Sequence, residues 1–207
     1  MHLQRSLLAL AMLATFSHPV CGGETKGAAK KTIEAPSPDG KFAFRYAADS
    51  DTGGKVYNLV GRKSGKVLAR VAESDPDPGP SARFNMKVLW RPDSKAFALT
   101  ATLWKRGSEI TVYLREGATF REVKLPELVA EIPDEVKRGK EFPHVSELNS
   151  QSAKRWQKGG SLVVEIESME DGNDGAATAT RTVILSFDRS GQAKVLKSTM
   201  KFATEKP

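Results

Sequence analysis

One short phrase recurs three times along the chain, and it constrains the fold more than any other feature. Ser37-Pro38-Asp39-Gly40-Lys41 precedes Phe42-Ala43-Phe44, and Trp90-Arg91-Pro92-Asp93-Ser94-Lys95 precedes Ala96-Phe97-Ala98-Leu99. Trp156-Gln157-Lys158-Gly159-Gly160-Ser161 then precedes Leu162-Val163-Val164. Each is a tight polar turn that launches an apolar or alternating stretch, the punctuation of an antiparallel meander. Such a recurrence specifies architecture and leaves chemistry open.

Reading outward from these turns, a polar lead-in over residues 23–31 is expected to be disordered. A first set of strands is expected at 32–35, 41–47, 55–60 and 67–71, closed by Asp75-Pro76-Asp77-Pro78-Gly79-Pro80, a run that cannot be a strand. A second set covers 84–90, 95–103, 109–114 and 119–125, and a third covers 153–156, 161–168, 178–188 and 192–199. One or two short helices are expected near 126–138, because Pro126 and Asp134 suit helix starts, Gly139 suits a stop and Pro133 divides the segment. Residues 141–151 read as loop with room for a further helical turn. The expectation is a single all-β domain over 32–200, about twelve antiparallel strands in three consecutive four-stranded units, with a tail at 201–207. The inward-facing set should include Phe42, Phe44, Tyr46, Leu59, Val67, Val88, Trp90, Phe97, Leu99, Val112, Leu114, Trp156, Val163, Ile184 and Phe187.

Four strands per unit, each unit entered through a Pro-Asp-Gly/Ser turn, resembles the blades of β-propellers. The nearest likeness is to the Ser-Pro-Asp-Gly-Lys turns of TolB-like and WD-related repeats, over about residues 32–200. Pro92 follows Pro38 by 54 positions and Lys158 follows Pro92 by 66, the excess matching the insertion near 126–138. The Trp-Asp and Gly-His signatures of WD repeats are missing, and three units fall short of the ~4 to 8 blades that close a propeller. The resemblance therefore implies an open or incomplete propeller, or alternatively stacked sheets, and a function in displaying loops to a partner.

The first 22 residues read as a secretory signal. Arg5 supplies a short positive region, Leu7 to Phe16 is uncharged and apolar, and Ser17, His18 and Pro19 break it. Ten residues are too few to cross a bilayer, which needs about 20. Cleavage is expected after Gly22, giving an exported protein of a bacterial periplasm or the extracellular space. Cys21, the only cysteine, raises lipidation, but His18 and Val20 do not fit the required flanks. A mature chain without cysteine has no disulfide, thiolate nucleophile or thiolate metal site. No later stretch is long enough for a membrane span, and the formal charge of +7 falls to +6 once Arg5 is removed.

The catalytic inventory is poor. Beyond the signal only His144 remains, in Phe142-Pro143-His144-Val145-Ser146, and no Gly-x-Ser-x-Gly elbow occurs. There is no phosphate-binding Gly-x-x-x-x-Gly-Lys loop, and no cofactor is expected. Calcium needs only oxygen ligands, and the best candidates are Asp171, Asn173 and Asp174, although the same residue types are what a hairpin turn demands. Glu165 and Glu167 lie two apart and share one face of a strand, opposite Val164 and Ile166, which most simply marks a solvent side.

Charge is more informative. Lys137, Arg138, Lys140, Lys154, Arg155 and Lys158 oppose only Glu141 and Glu147, whereas Leu162 to Gly175 holds five acids and no base. Trp90-Arg91, Trp104-Lys105-Arg106 and Arg155-Trp156 set indoles beside bases. Trp90 and Trp156 are expected in the core, which leaves Trp104, Lys105, Arg106, Lys137, Arg138, Lys154 and Arg155 as the candidate ligand-binding residues. The function read from this inventory is a non-catalytic binding or scaffolding module facing an envelope protein or an anionic polymer, with nucleic acid disfavoured by export. The alternative is a carboxylate-dependent hydrolase of envelope polysaccharide, which requires two acids facing each other at about 5–10 Å. Two copies would supply six units, but Lys26, Lys30, Lys31, Lys194, Lys197 and Lys201 flank both candidate edges, so a monomer is expected.

Overall fold

In the computed structural model the three recurring turns adopt one conformation. Gly40, Ser94 and Gly160 occupy equivalent places and all have left-handed backbones, with φ of 68°, 58° and 81°. Each donates its amide to the carbonyl three residues back, on Ser37, Arg91 and Gln157, at 2.9 Å. Glycine supplies this φ without steric cost in two of the turns. Ser94 adopts it fully buried, with its Oγ accepting the Asp39 amide at 2.9 Å. The structure describes residues 33–48, 55–74, 85–104 and 107–206.

Three antiparallel meanders follow one another. The first contains β1 (Ile33–Glu34), β2 (Phe42–Ala48), β3 (Lys55–Gly61) and β4 (Val67–Ser74), where β1 adds only a two-residue edge. The second contains β5 (Asn85–Trp90), β6 (Ala96–Trp104), β7 (Gly107–Glu116) and β8 (Thr119–Glu122). The third contains β9 (His144–Trp156), β10 (Leu162–Gly172), β11 (Gly175–Phe187) and β12 (Ala193–Glu205). Strand order in every sheet is sequence order, as tight hairpins dictate.

The second sheet lies between the other two because both its faces are apolar. Phe97, Leu99, Tyr113 and Phe120 face the first sheet, where they pack on Phe42, Phe44, Tyr57 and Leu59. Ala98, Ile110 and Val112 point the other way, onto Leu162, Val164, Ile166, Val183 and Leu185 of the third sheet. Phe97 and Ala98 are adjacent and both fully buried, so β6 is covered on both sides. The inter-sheet tryptophan contacts also repeat. Trp90 Nε1 donates to Ala35 O at 2.8 Å and Trp156 Nε1 to Leu89 O at 2.9 Å. In each pair the acceptor sits four residues ahead of a turn aspartate, Asp39 or Asp93.

Several expectations are corrected. One short helix lies in the expected 126–138 segment, α1 (Asp134–Lys137), and it is the only helix among the described residues; 126–132 is neither helix nor strand. There Leu128 and Ala130 are buried in alternation, and third-sheet side chains satisfy the backbone. Asn149 Oδ1 accepts the Ala130 amide at 2.7 Å, Arg181 Nη1 donates to Val129 O at 3.0 Å and Gln151 Nε2 to Leu128 O at 3.4 Å. Residues 144–151 are not loop but the first part of β9, paired with β10 through register shifts. The expected tail at 201–207 is largely strand, since β12 stays paired with β11 as far as Glu205. Val67 is 52% exposed, and Val183 and Leu185, not Ile184, face the second sheet. The phase of β11 is set by Ala177 and Ala179, small residues that the hydrophobic pattern underweights. The Asp75–Pro80 loop and residues 23–31 lie outside the described residues.

Candidate functional site

Meander strands run up and down, so every second turn lies at the same end of the stack. The turns after β5, β7, β9 and β11 therefore gather where the second and third sheets meet. Between them lies a cleft of about 600 Å³ carrying five bases, Arg91, Lys95, Arg115, Arg121 and Arg189, against two acids, Glu116 and Asp188. Its apolar part is Leu114, Phe187 and Leu196. A second hollow of about 510 Å³ adjoins it through Arg91, Gly159 and Gly160 and adds Trp156 and Lys158.

The bases differ in how they are held. Arg91 donates from Nε to Asp93 at 2.7 Å and lies over the Trp156 ring, 5.8 Å from its centroid, with its side chain only 20% exposed. Arg115 lies 4.8 Å over the Phe42 ring, donates to Gly117 O at 2.9 Å and approaches Asp39 at 3.9 Å. Arg121 pairs with Glu116 at 2.5 Å and donates from Nη1 to Ser190 O at 2.7 Å. Gly191 makes room for it, because a Cβ at that position would collide with the Arg121 guanidinium. These three guanidinium groups are fixed by stacking and hydrogen bonds, as a recognition surface requires. Lys95 and Arg189 are exposed and make no ion pair among the described residues.

The acids at this end are occupied by the turns. Burial would raise the Asp93 carboxyl, but the Arg91 hydrogen bond, the Lys95 amide and the charges of Arg91 and Lys95 outweigh it and hold the group below its ordinary value. Asp39 is likewise pushed up by burial and brought down further by the Ser37 hydroxyl, the Lys41 amide and charge, and Ser94. Asp188 is lowered chiefly by the Ser190 hydroxyl and also by the Gln192 amide. Carboxylates below their usual range are anchors for turns and poor proton donors.

The opposite end of the same junction has the reverse sign. Two smaller hollows there are lined by Glu109 and Glu127, and by Glu131, Glu147 and Glu170. Glu147 Oε2 is buried without a hydrogen-bond partner. Lys137 pairs with Glu170 at 2.7 Å.

The residues expected to bind ligand do not form one patch. Lys137 and Arg138 belong to the acidic end, Arg138 as the left-handed cap of α1. Lys154 and Arg155 lie near the other end of β9, where Lys154 pairs with Glu165 at 2.6 Å. Glu170 pairs with Val145 and Val163 with Arg155, so roughly 20 Å of strand separates the two groups. Trp104 closes β6, but its side chain and Lys105 and Arg106 lie outside the described residues. The calcium candidates lie at one end of the β10–β11 hairpin, where Asp171 accepts the Ser146 hydroxyl and Asn173 and Asp174 form the exposed tip. Among the described residues no group of three or more His, Cys, Asp or Glu could hold a metal ion. His144 is exposed at the start of β9, paired with Asp171 in the ladder.

The cleft itself went unread in the sequence, although a signal was present. Bases stand beside turns that the meander must bring together: Arg91 and Lys95, Arg115 and Arg121, Lys158, and Arg189. No protein-family model and no curated protein matches the chain, so geometry and chemistry alone bear on this site.

Proposed function

We propose that the protein is an exported, non-catalytic binding module of three propeller-like units that receives an anionic ligand in the basic cleft between the second and third sheets. The observation that carries this reading is the arrangement of the five bases: three guanidinium groups held by stacking and hydrogen bonds, beside two exposed cations that make no ion pair among the described residues. A fixed guanidinium fork beside mobile charge suits carboxylate, sulfate or phosphate groups. The propeller-like reading is supported by the face-to-face stacking of consecutive meanders and by the equivalent contacts of Trp90 and Trp156. A non-catalytic role is supported by the acids at this end, which are engaged in turns and ion pairs. Export is supported by the apolar run from Leu7 to Phe16, which lies outside the described residues. No helix among the described residues is long and apolar enough to cross a membrane.

The test is titration with polyglutamate, alginate and dextran sulfate at low and raised salt. At least one should bind, less tightly as salt screens the charges. Lys95→Glu with Arg189→Glu should weaken binding by roughly tenfold or more without altering the melting temperature. Binding indifferent to salt and to that double substitution would remove the cleft from consideration. Export is checked separately by the mass of the mature chain, expected to begin at Gly23.

A further inference from the structure

The third sheet ends on an unusual edge. β12 is 13 residues long, has β11 as its one strand neighbour, gives only its first amide, on Ala193, to Lys124 O at 3.0 Å, and is exposed from Lys194 to Lys206. Natural edges are short or protected, whereas this one keeps apolar side chains in the open. Val195, Met200 and Phe202 are 37%, 40% and 43% exposed. Their partners Leu185, Arg181 and Ala179 place all three on the face that turns toward the second sheet, beyond the area that sheet covers. The opposite face of the strand carries Lys194, Lys197 and Lys201, paired with Ser186, Ile184 and Thr180. Leu196, 65% exposed at the β12 bulge, lines the basic cleft, so cleft and edge are continuous.

We infer that β12 receives an extended acidic polypeptide segment as a fifth strand of the third sheet, with one end of that segment seated in the basic cleft. The inference rests on the reading of the cleft as an anion site and names its ligand. A strand alternates its side chains between faces, so a segment alternating acidic and apolar residues would match β12 on both sides. Its carboxylates would meet Lys194, Lys197 and Lys201, and its apolar residues would cover Met200 and Phe202. Main-chain hydrogen bonds along the free edge would supply affinity, as in other cases of strand addition. A second copy of this chain is the wrong occupant. From Lys194 to Lys206 the strand and its end carry four lysines and one acid, Glu205, so two such edges repel. Lysines alone would serve as a guard against self-pairing, but a guard does not need an apolar row beside it.

The experiment uses the mature chain and a synthetic peptide of alternating glutamate and valine about as long as β12. A second version has every amide N-methylated, which keeps the carboxylates and side chains and removes the donors. Binding is measured by calorimetry, and amide exchange is followed over 194–205. The first peptide should bind, slow exchange of free-edge amides at least tenfold, and lose at least tenfold in affinity on N-methylation. Met200→Glu with Phe202→Glu should weaken the peptide by a similar factor and leave retention of dextran sulfate unchanged. Equal binding of the N-methylated peptide, or unchanged exchange over β12, overturns strand addition while leaving the cleft as an anion site. Binding of alginate or dextran sulfate without the peptide reassigns the cleft to a polysaccharide. A dimer that protects β12 without peptide also overturns the inference. Failure of every anion to bind removes the cleft reading and this inference together.

Discussion

The second sheet makes two junctions of different material. Toward the first sheet it is closed by rings: Phe97 stacks on Tyr113 at 4.7 Å, meets Phe44 edge-on at 5.1 Å and touches Trp90 and Phe120. Toward the third sheet it presents aliphatic side chains threaded with hydrogen bonds. The Ala153 amide donates to Thr100 Oγ1 at 3.3 Å, the Ile110 amide to Gln151 Oε1 at 3.3 Å, and Ser108 Oγ to Gln151 O at 2.7 Å. Large rings give area and interlocking shape, and the polar links on that side come from the turn and from ring edges: the Asp39 amide to Ser94 Oγ, Trp90 Nε1 to Ala35 O and Tyr113 Oη to Val71 O. Small residues such as Ala98 and Ala153 let β9 come close enough for its backbone to bond with the neighbouring sheet. The charged clefts lie at the two ends of this second, hydrogen-bonded junction.

The largest expected effect comes from breaking the aromatic junction. Phe97→Ala removes a fully buried ring at its centre and should cost about 3–5 kcal/mol. Denaturant unfolding measures the loss, and amide exchange locates it. Protection should fall furthest in β2 and β3 if the rings are what hold the first sheet. A loss spread evenly over β10 and β11 would show that the two junctions are not separable.

Tyr113 sharpens the same side of the comparison. Burial, followed by the charge and hydrogen bond of Glu122, pushes its phenol up to about 12. A group whose pKa is raised on folding adds stability that is present below the unfolded value near 10 and lost as pH rises through the folded value. A shift of this size corresponds to about 2–3 kcal/mol, lost between about pH 10 and 12. Tyr113→Phe keeps the ring stack and should delete the most alkaline step in phenolate absorbance. If that step survives the substitution, the Tyr113 environment is less enclosed than its neighbours imply.

What was legible in the sequence follows the same division. The turns at Asp39 and Asp93 and the rings around Phe97 were readable because glycine, proline and aromatic residues carry strong local signals. The second junction was harder. β9 begins His-Val-Ser-Glu-Leu-Asn-Ser-Gln-Ser, which has the composition of a loop, yet Ser150 and Gln151 bond across to β7 and Gln151 also to the 126–132 segment. That segment looked helical because alternation over so few residues is weak beside the helix-start signals of Pro126 and Asp134. The basic cleft needed knowledge of which turns share an end. Its five bases are spread from Arg91 to Arg189, and a search for charge runs favoured 137–158 instead.

Thr100 tests the hydrogen-bonded junction with a smaller change. Thr100→Val keeps the shape and removes the acceptor, leaving the buried Ala153 amide unpaired at an expected cost of about 1–3 kcal/mol. Exchange of the Ala153 amide should rise while the first sheet stays protected. Opening of β2 and β3 instead would contradict the assignment of this link to the third-sheet side.

The smallest effects separate the two junctions by acid titration. Asp39 ties the first turn to the second through the hydrogen bond from its backbone amide to Ser94 Oγ, and Asp93 orients Arg91 over Trp156 at the third. Both carboxyls are held below their ordinary value despite burial, by their hydrogen bonds and neighbouring cations. A lowered folded pKa contributes stability that is present above the unfolded value, near 3.9, and is lost as pH falls through the folded value. Stability should therefore decline below about pH 4, and Asp39→Asn or Asp93→Asn should each flatten part of that decline. An amide in either place keeps one acceptor oxygen, so the turns themselves should persist. Asp93→Asn should also loosen Arg91, lowering affinity for an anion in the cleft, whereas Asp39→Asn should leave that affinity nearly unchanged. Equal effects of the two substitutions on ligand binding would mean that the first turn is coupled to the cleft through Arg115, which approaches Asp39 at 3.9 Å. The cleft would then draw on all three recurring turns and not only the two that line it.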